Sequence, residues 1–179
     1  GRVTGVQTCA LPICEEGARF GPSIMPGGNS AAWKSLKPIF QSIAAKTEDG
    51  TACCDWVGES GSGHFVKMVH NGIEYGDMQL IAETYDILKR GISQDNEQMA
   101  ETFTQWNNGV LDSYLIEITG EILKRKESDG TSTVDIILDK AGQKGTGKWT
   151  VINGADAGIP LTLIGESVFA RSLSSRDRK

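Results

Sequence analysis

The sequence has few of the residues that build metal centres or disulfide frameworks. Its two histidines, His64 and His70, stand alone without a third ligand nearby, so no metal site is expected. The cysteines Cys9, Cys14, Cys53 and Cys54 form no C-x-x-C pair and no spaced scaffold, which makes a reducing cytoplasmic compartment the default. No apolar run approaches a membrane-spanning length, and no stretch reads as a signal peptide. Positive charge is in deficit: 18 Lys and Arg face 23 Asp and Glu, a net charge of -5. That balance argues against nucleic acid or an anionic membrane as partner, while leaving room for a small basic cluster around a phosphate. What is present is ordinary globular material, 39% hydrophobic and 23% charged over 179 residues, enough for one domain or pieces of two.

Residues 3–13, VTGVQTCALPI, have no amphipathic period and match the in-frame translation of a common sequencing-library adapter. One leftover T at the end of that adapter would convert a Gly codon to Cys, and Cys14 follows. Residues 1–14 are therefore expected to be artefactual and disordered, and are set apart from the fold as a tag would be. RFGPSIMPGGN then reads as a short strand and turn. Asn29 or Ser30 can cap a helix running to about Lys46, with Ala32, Leu36, Ile39, Phe40 and Ile43 as its core stripe and a kink or break near Pro38. TEDG is a turn and ACCDWV a short strand. The glycine-rich GESGSG, residues 58–63, marks a domain boundary. Beyond it the chain reads as helical: about 64–89, then near 95–107, 112–125, 133–141, 147–157 and 160–174.

The long helix carries polar side chains where core residues usually stand. Lys67, His70, Asn71, Glu74 and Tyr75 fall within an arc of roughly 140°. Val66, Val69, Ile73 and Leu80 occupy another arc, suited to packing. Gly72 and Gly76 lie on the flank, where each weakens the helix by about 1 kcal/mol relative to Ala and so points to close approach by a backbone or ligand. A merely wet face would favour Glu, Lys and Gln; His and Tyr suit a bound ligand better. A lysine of lowered pKa can take a proton from a hydroxyl, and a glutamate two turns on can deliver one to a carbon. GQKGTGKW, residues 142–149, can cradle an anion with backbone N–H groups and Lys144, or be a plain surface turn. It lacks the spacing and preceding strand of a Walker motif.

Together these stretches resemble the 6-phosphogluconate dehydrogenase family, from Glu15 essentially to the C-terminus. GESGSGHFVKMVHN resembles the signature of the wider β-hydroxyacid dehydrogenases; KMVHNGIEYGDMQ, AGQKGTGKWT, LTLIGE and FARSLSS narrow it, and EEGARFGPSIMPGGN agrees. The resemblance implies a mainly α chain: the end of a Rossmann-type α/β NADP-binding domain (15–61), then the first part of an all-helical dehydrogenase domain (62–179). It implies NADP-dependent oxidative decarboxylation of 6-phosphogluconate to ribulose 5-phosphate in the pentose phosphate pathway, by a cytoplasmic homodimer without a metal. By position, Lys67 would be the general base at the C3 hydroxyl and Glu74 the acid that protonates C1. His70 and Asn71 would bind substrate, and Tyr75, Lys144, Thr146 and Arg171 would hold its phosphate.

The chain departs from the family in ways that bear on activity. It contains no GxGxxG nucleotide fingerprint. Pro12, Ile13 and Cys14 stand where the family carries Ser-Gly-Gly, and the second half of the helical domain is missing after SSRDRK. The chain by itself is therefore expected to be inactive. Two other readings stay open: another β-hydroxyacid dehydrogenase, against which the phosphate-holding set speaks, and a non-enzymatic helical interaction module.

Overall fold

The computed structural model describes Arg19 and residues 21–176, together with the backbone of strand β1, Val6–Ala10. The expectations placed on Pro12, Ile13, Cys14 and the EEGA stretch lie outside the described residues. The chain divides into two compact units, Gly1–Asn71 and Gly72–Lys179, and the division falls inside one long helix.

In the first unit, β1 pairs antiparallel with β2, Ile24–Gly28, Val6 opposite Gly28 and Ala10 opposite Ile24. The expectation of disorder over residues 1–14 is thereby corrected at Val6–Ala10. A strand edge with unpaired N–H and C=O groups templates extended backbone with little regard to side chains. Helix α1, Ser30–Ile43, starts where the Asn29 side chain accepts the N–H groups of Ala31 and Ala32 at 2.8 and 3.1 Å. It runs unbroken through Pro38, so of the kink or break expected there the break does not occur. Pro38 is exposed, so water can satisfy the carbonyl that its missing N–H leaves open.

The expected core stripe of α1 is also corrected. Trp33, Leu36, Phe40 and the following Ala44 face inward onto Ile24, Cys54 and Trp56, whereas Ile39 and Ile43 are 56% exposed. Tryptophan, the largest apolar surface on the helix, sets which face turns in. Residues 53–58 lie parallel beside β2: Ile24 N–H donates to Cys53 O, Val57 N–H to Pro26 O and Gly28 N–H to Gly58 O, each at 2.9 Å. The ACCDWV strand thus takes the form of isolated parallel bridges, completing a β–α–β piece of Rossmann type.

The TEDG turn is fastened by Asp49, whose carboxylate accepts the Thr47 hydroxyl at 2.5 Å and the Thr51 N–H at 3.0 Å. The Thr47 hydroxyl foremost, then the Thr51 N–H, hold its pKa down from 3.8 to about 2. Because the folded value is the lower one, ionised Asp49 stabilises the turn above pH 3.8, and that contribution disappears as pH falls through about 2. An NMR titration of the Asp49 carboxyl carbon should show a midpoint at about 2; a midpoint at the ordinary value would refute the bonded turn.

Helix α2, Ser62–Asp86, begins against β2 and continues into the second unit, where a π-helical turn, Ile87–Gly91, ends it. Helices α3 (Asn96–Asn107), α4 (Tyr114–Lys124), α5 (Thr133–Ile136), α6 (Thr146–Asp156) and α7 (Thr162–Ser174) follow. A capping box between Asp95 and Gln98 starts α3. Met99, Ala100 and Phe103 on α3, with Leu88 and Leu123, make the core of this unit, and Trp106 meets Phe103 edge-on at 5.2 Å.

Two expectations fail here. The helix expected over 133–141 stops at Ile136, and residues 137–145 run as an extended strap into α6. Its anchor is Asp135, which accepts Lys89 Nζ at 2.6 Å and Asn96 Nδ2 at 2.7 Å. The apolar arc of α2 is the second: Ile73 and Leu80 stay 52% and 49% exposed, while Glu74 is half-buried and Tyr75 buried. The flank glycines explain the inversion in this unit. A Cβ on Gly72 would stand 2.7 Å from Thr150 Oγ1, and one on Gly76 3.0 Å from Leu163, so α6 and α7 pack on that side.

Candidate active site

Each unit holds its own share of the expected site residues. In the first, Lys67, His70 and Asn71 sit half-buried along α2, and Lys67 Nζ donates to Asn71 Oδ1 one turn ahead. The first turn of α2 lies directly on β2. A Cβ on Gly63 would stand 2.1 Å from Met25 O and 2.9 Å from Gly27 N, so only glycine lets the helix approach so closely. Lys67, one turn beyond, takes its position from that contact. Glu74 follows Lys67 by seven residues in α2 and belongs to the second unit.

In the second unit the structure brings Tyr75, Arg171 and the first turn of α6 together. Tyr75 is buried, and the Arg171 guanidinium lies over its ring at 3.8 Å from the centroid. Gly147, next to Thr146, lets the ring slide against α6: a Cβ there would stand 2.6 Å from Tyr75 Cδ2 and 3.0 Å from Val168 Cγ2. The helix starts from Gly145, whose φ of 102 lies in the left-handed region that favours glycine, and it has no side-chain cap. Lys144 is exposed immediately before that cap. Uncapped N–H groups at a helix N-terminus, with the Arg171 guanidinium bonded to the loop that leads into it and Lys144 next to the cap in sequence, form an arrangement suited to a dianion.

The sequence reading missed the residues that hold this arrangement. Arg171 Nη1 donates to Gly142 O at 2.8 Å, and its Nη2 points to Met78 Sδ at 3.4 Å. Ser172 and Ser174 also bind the strap. The signal available was the S-x-S pattern beside Arg171 in FARSLSS, which nothing local marks as a strap seat. Among the described residues no group of three His, Cys, Asp or Glu could hold a metal ion.

Comparison with known proteins fits this geometry. The family model described as "6-phosphogluconate dehydrogenase, C-terminal domain" matches residues 63–179, and "NAD binding domain of 6-phosphogluconate dehydrogenase" matches 4–58. The chain is 64% identical over 161 residues to a 6-phosphogluconate dehydrogenase, decarboxylating, from Cunninghamella elegans, covering 90% of this chain and 33% of that protein. With the Haemophilus influenzae protein of the same name the identity is 66%, again over 90% of this chain and 33% of that one. It thus spans about a third of the length of the curated relatives it matches. A Plasmodium falciparum 6-phosphogluconate dehydrogenase, solved in its apo form and in complex with its cofactor NADP+ and with its substrate 6-phosphogluconate, superposes with a TM-score of 0.89. That match has 45% identity and covers 94% of this chain and 36% of that one. A 3-hydroxyisobutyrate dehydrogenase from Salmonella typhimurium shares the fold, with a TM-score of 0.60 at 18% identity, over 94% of this chain and 53% of that one. The chain belongs to the 6-phosphogluconate dehydrogenase family.

Proposed function

We propose that the full-length polypeptide carrying this chain oxidises and decarboxylates 6-phosphogluconate to ribulose 5-phosphate with NADP, and that this chain is an inactive part of it. The observation that carries the choice of substrate is the Arg171 guanidinium laid over Tyr75 in the unit that also presents Lys144 and the uncapped start of α6. A short hydroxyacid has no group to fill such an anion site. NADP, the hydride acceptor of that reaction, would need a GxGxxG turn that these 179 residues lack. What this chain supplies is proton handling and phosphate binding.

In this reading Lys67 removes the C3 hydroxyl proton as the C3 hydride passes to NADP, the substrate's C1 leaves as carbon dioxide, and Glu74 protonates the resulting enediol at its C1, the substrate's former C2. Asn71 orients the Lys67 side-chain nitrogen through their hydrogen bond and, with His70, holds substrate oxygens. Tyr75, Lys144, Thr146 and Arg171 receive the phosphate. Residues 15–61 form the end of the coenzyme domain, and 62–179 the first part of the helical one. A homodimer in the cytoplasm goes with this reading; among the described residues no helix is long and apolar enough to cross a membrane.

NADPH formation by the full-length polypeptide tests the proposal. Turnover should be greater with 6-phosphogluconate than with 3-hydroxyisobutyrate or unphosphorylated gluconate. Arg171→Ala should raise KM for 6-phosphogluconate about 10- to 100-fold, the worth of a charge-assisted bond, and leave gluconate nearly unaffected. A preference for the short hydroxyacid would discard the reading.

A further inference from the structure

We propose that Ser172 and Ser174 are positioning residues that seat the 137–145 strap on α7 and thereby set Lys144 against Arg171 for phosphate binding; this rests on the reading of the α6 start as a phosphate site. Three consecutive strap residues are each bonded to α7. Ala141 N–H donates to Ser174 Oγ at 2.9 Å, Gly142 O accepts Arg171 Nη1 at 2.8 Å, and Gln143 Nε2 donates to Ser172 Oγ at 3.3 Å. Lys144 comes next, then the Gly145 turn into α6.

The serines are preset for this task. Ser174 Oγ donates to Arg171 O at 2.9 Å, and Ser172 Oγ donates to Val168 O at 2.9 Å. Each hydroxyl proton is committed to its own helix, so each oxygen can only accept from the strap. Apolar burial contributes little to the seat. Ile137 and Leu138 are 57% and 77% exposed, and the strap borders an open groove of about 750 Å³ that Lys140, Arg171 and Ser174 also line. Hydrogen bonds therefore decide where the strap lies, and Arg171 serves both the strap and the anion.

The test uses the full-length polypeptide, wild type, Ser174→Ala and Ser174→Thr. Loss of one such bond should raise KM for 6-phosphogluconate about 3- to 10-fold, with kcat and the parameters for unphosphorylated gluconate within about twofold. Ser174→Thr, which keeps the hydroxyl, should restore KM. In parallel, inorganic phosphate should bind Ser174→Ala about 3- to 10-fold more weakly than wild type, and the Ala141 amide should exchange its hydrogen faster. The phosphate and exchange measurements need no turnover, so a wild type inactive on 6-phosphogluconate sinks the functional reading and leaves this one still decided. Equal phosphate affinity in wild type and Ser174→Ala, or a kcat loss shared by both substrates, overturns it.

Discussion

Lys67→Met in the full-length polypeptide is expected to lower kcat for 6-phosphogluconate by about 10²- to 10⁴-fold, the usual worth of a positioned general base. Methionine keeps the length and apolar stem of lysine, so half-buried α2 packing should survive and thermal unfolding should stay near wild type. KM should change far less than kcat, because in the proposed reading the phosphate is received by Tyr75, Lys144, Thr146 and Arg171. Initial rates of NADPH formation measure both parameters. Near-normal kcat in Lys67→Met would remove Lys67 from the role of base.

Gly63→Ala should be the most damaging single methyl in the first unit. Its Cβ would meet Met25 O at 2.1 Å and Gly27 N at 2.9 Å, both backbone atoms that no rotamer can move aside. Overpacking of this kind costs about 1–3 kcal/mol, and the better helix propensity of Ala returns at most about 1 kcal/mol. A net loss of about 1–2 kcal/mol lowers Tm by roughly 2–8 °C in a chain of this size. The first turn of α2 must also lift from β2 and carry Lys67 with it, and displacement by about 1 Å can lower turnover 10²-fold. Calorimetry of this chain and initial rates of the full-length polypeptide check the two effects separately. An unchanged Tm would show that the close approach of α2 to β2 is not real.

How much of this was legible beforehand depends on the range of the interactions. The Asn29 cap, the TEDG turn and the long α2 were readable, because caps, turns and helical period depend on residues a few positions apart. A break at Pro38, one of the two outcomes expected there, does not occur, and Ile39 and Ile43 do not face inward. Pro38 lies on an exposed side where water replaces the lost bond, and Trp33 chooses the buried face. The helix expected over 133–141 gave way to a strap because Lys89, Asn96 and α7 bind it from distant parts of the sequence.

For the site, the amino-acid order alone determined the polar stripe on α2 and the family motifs, since a period of 3.6 and a run of identities need no neighbours. Only the tertiary structure decided that α2 buries Tyr75 and exposes Ile73 and Leu80, that Arg171 lies over Tyr75, and that two serines bond to the strap. Helical period fixes which residues share a face. Which face is covered depends on where other segments can come close, and here glycines at 63, 72 and 147 open that space.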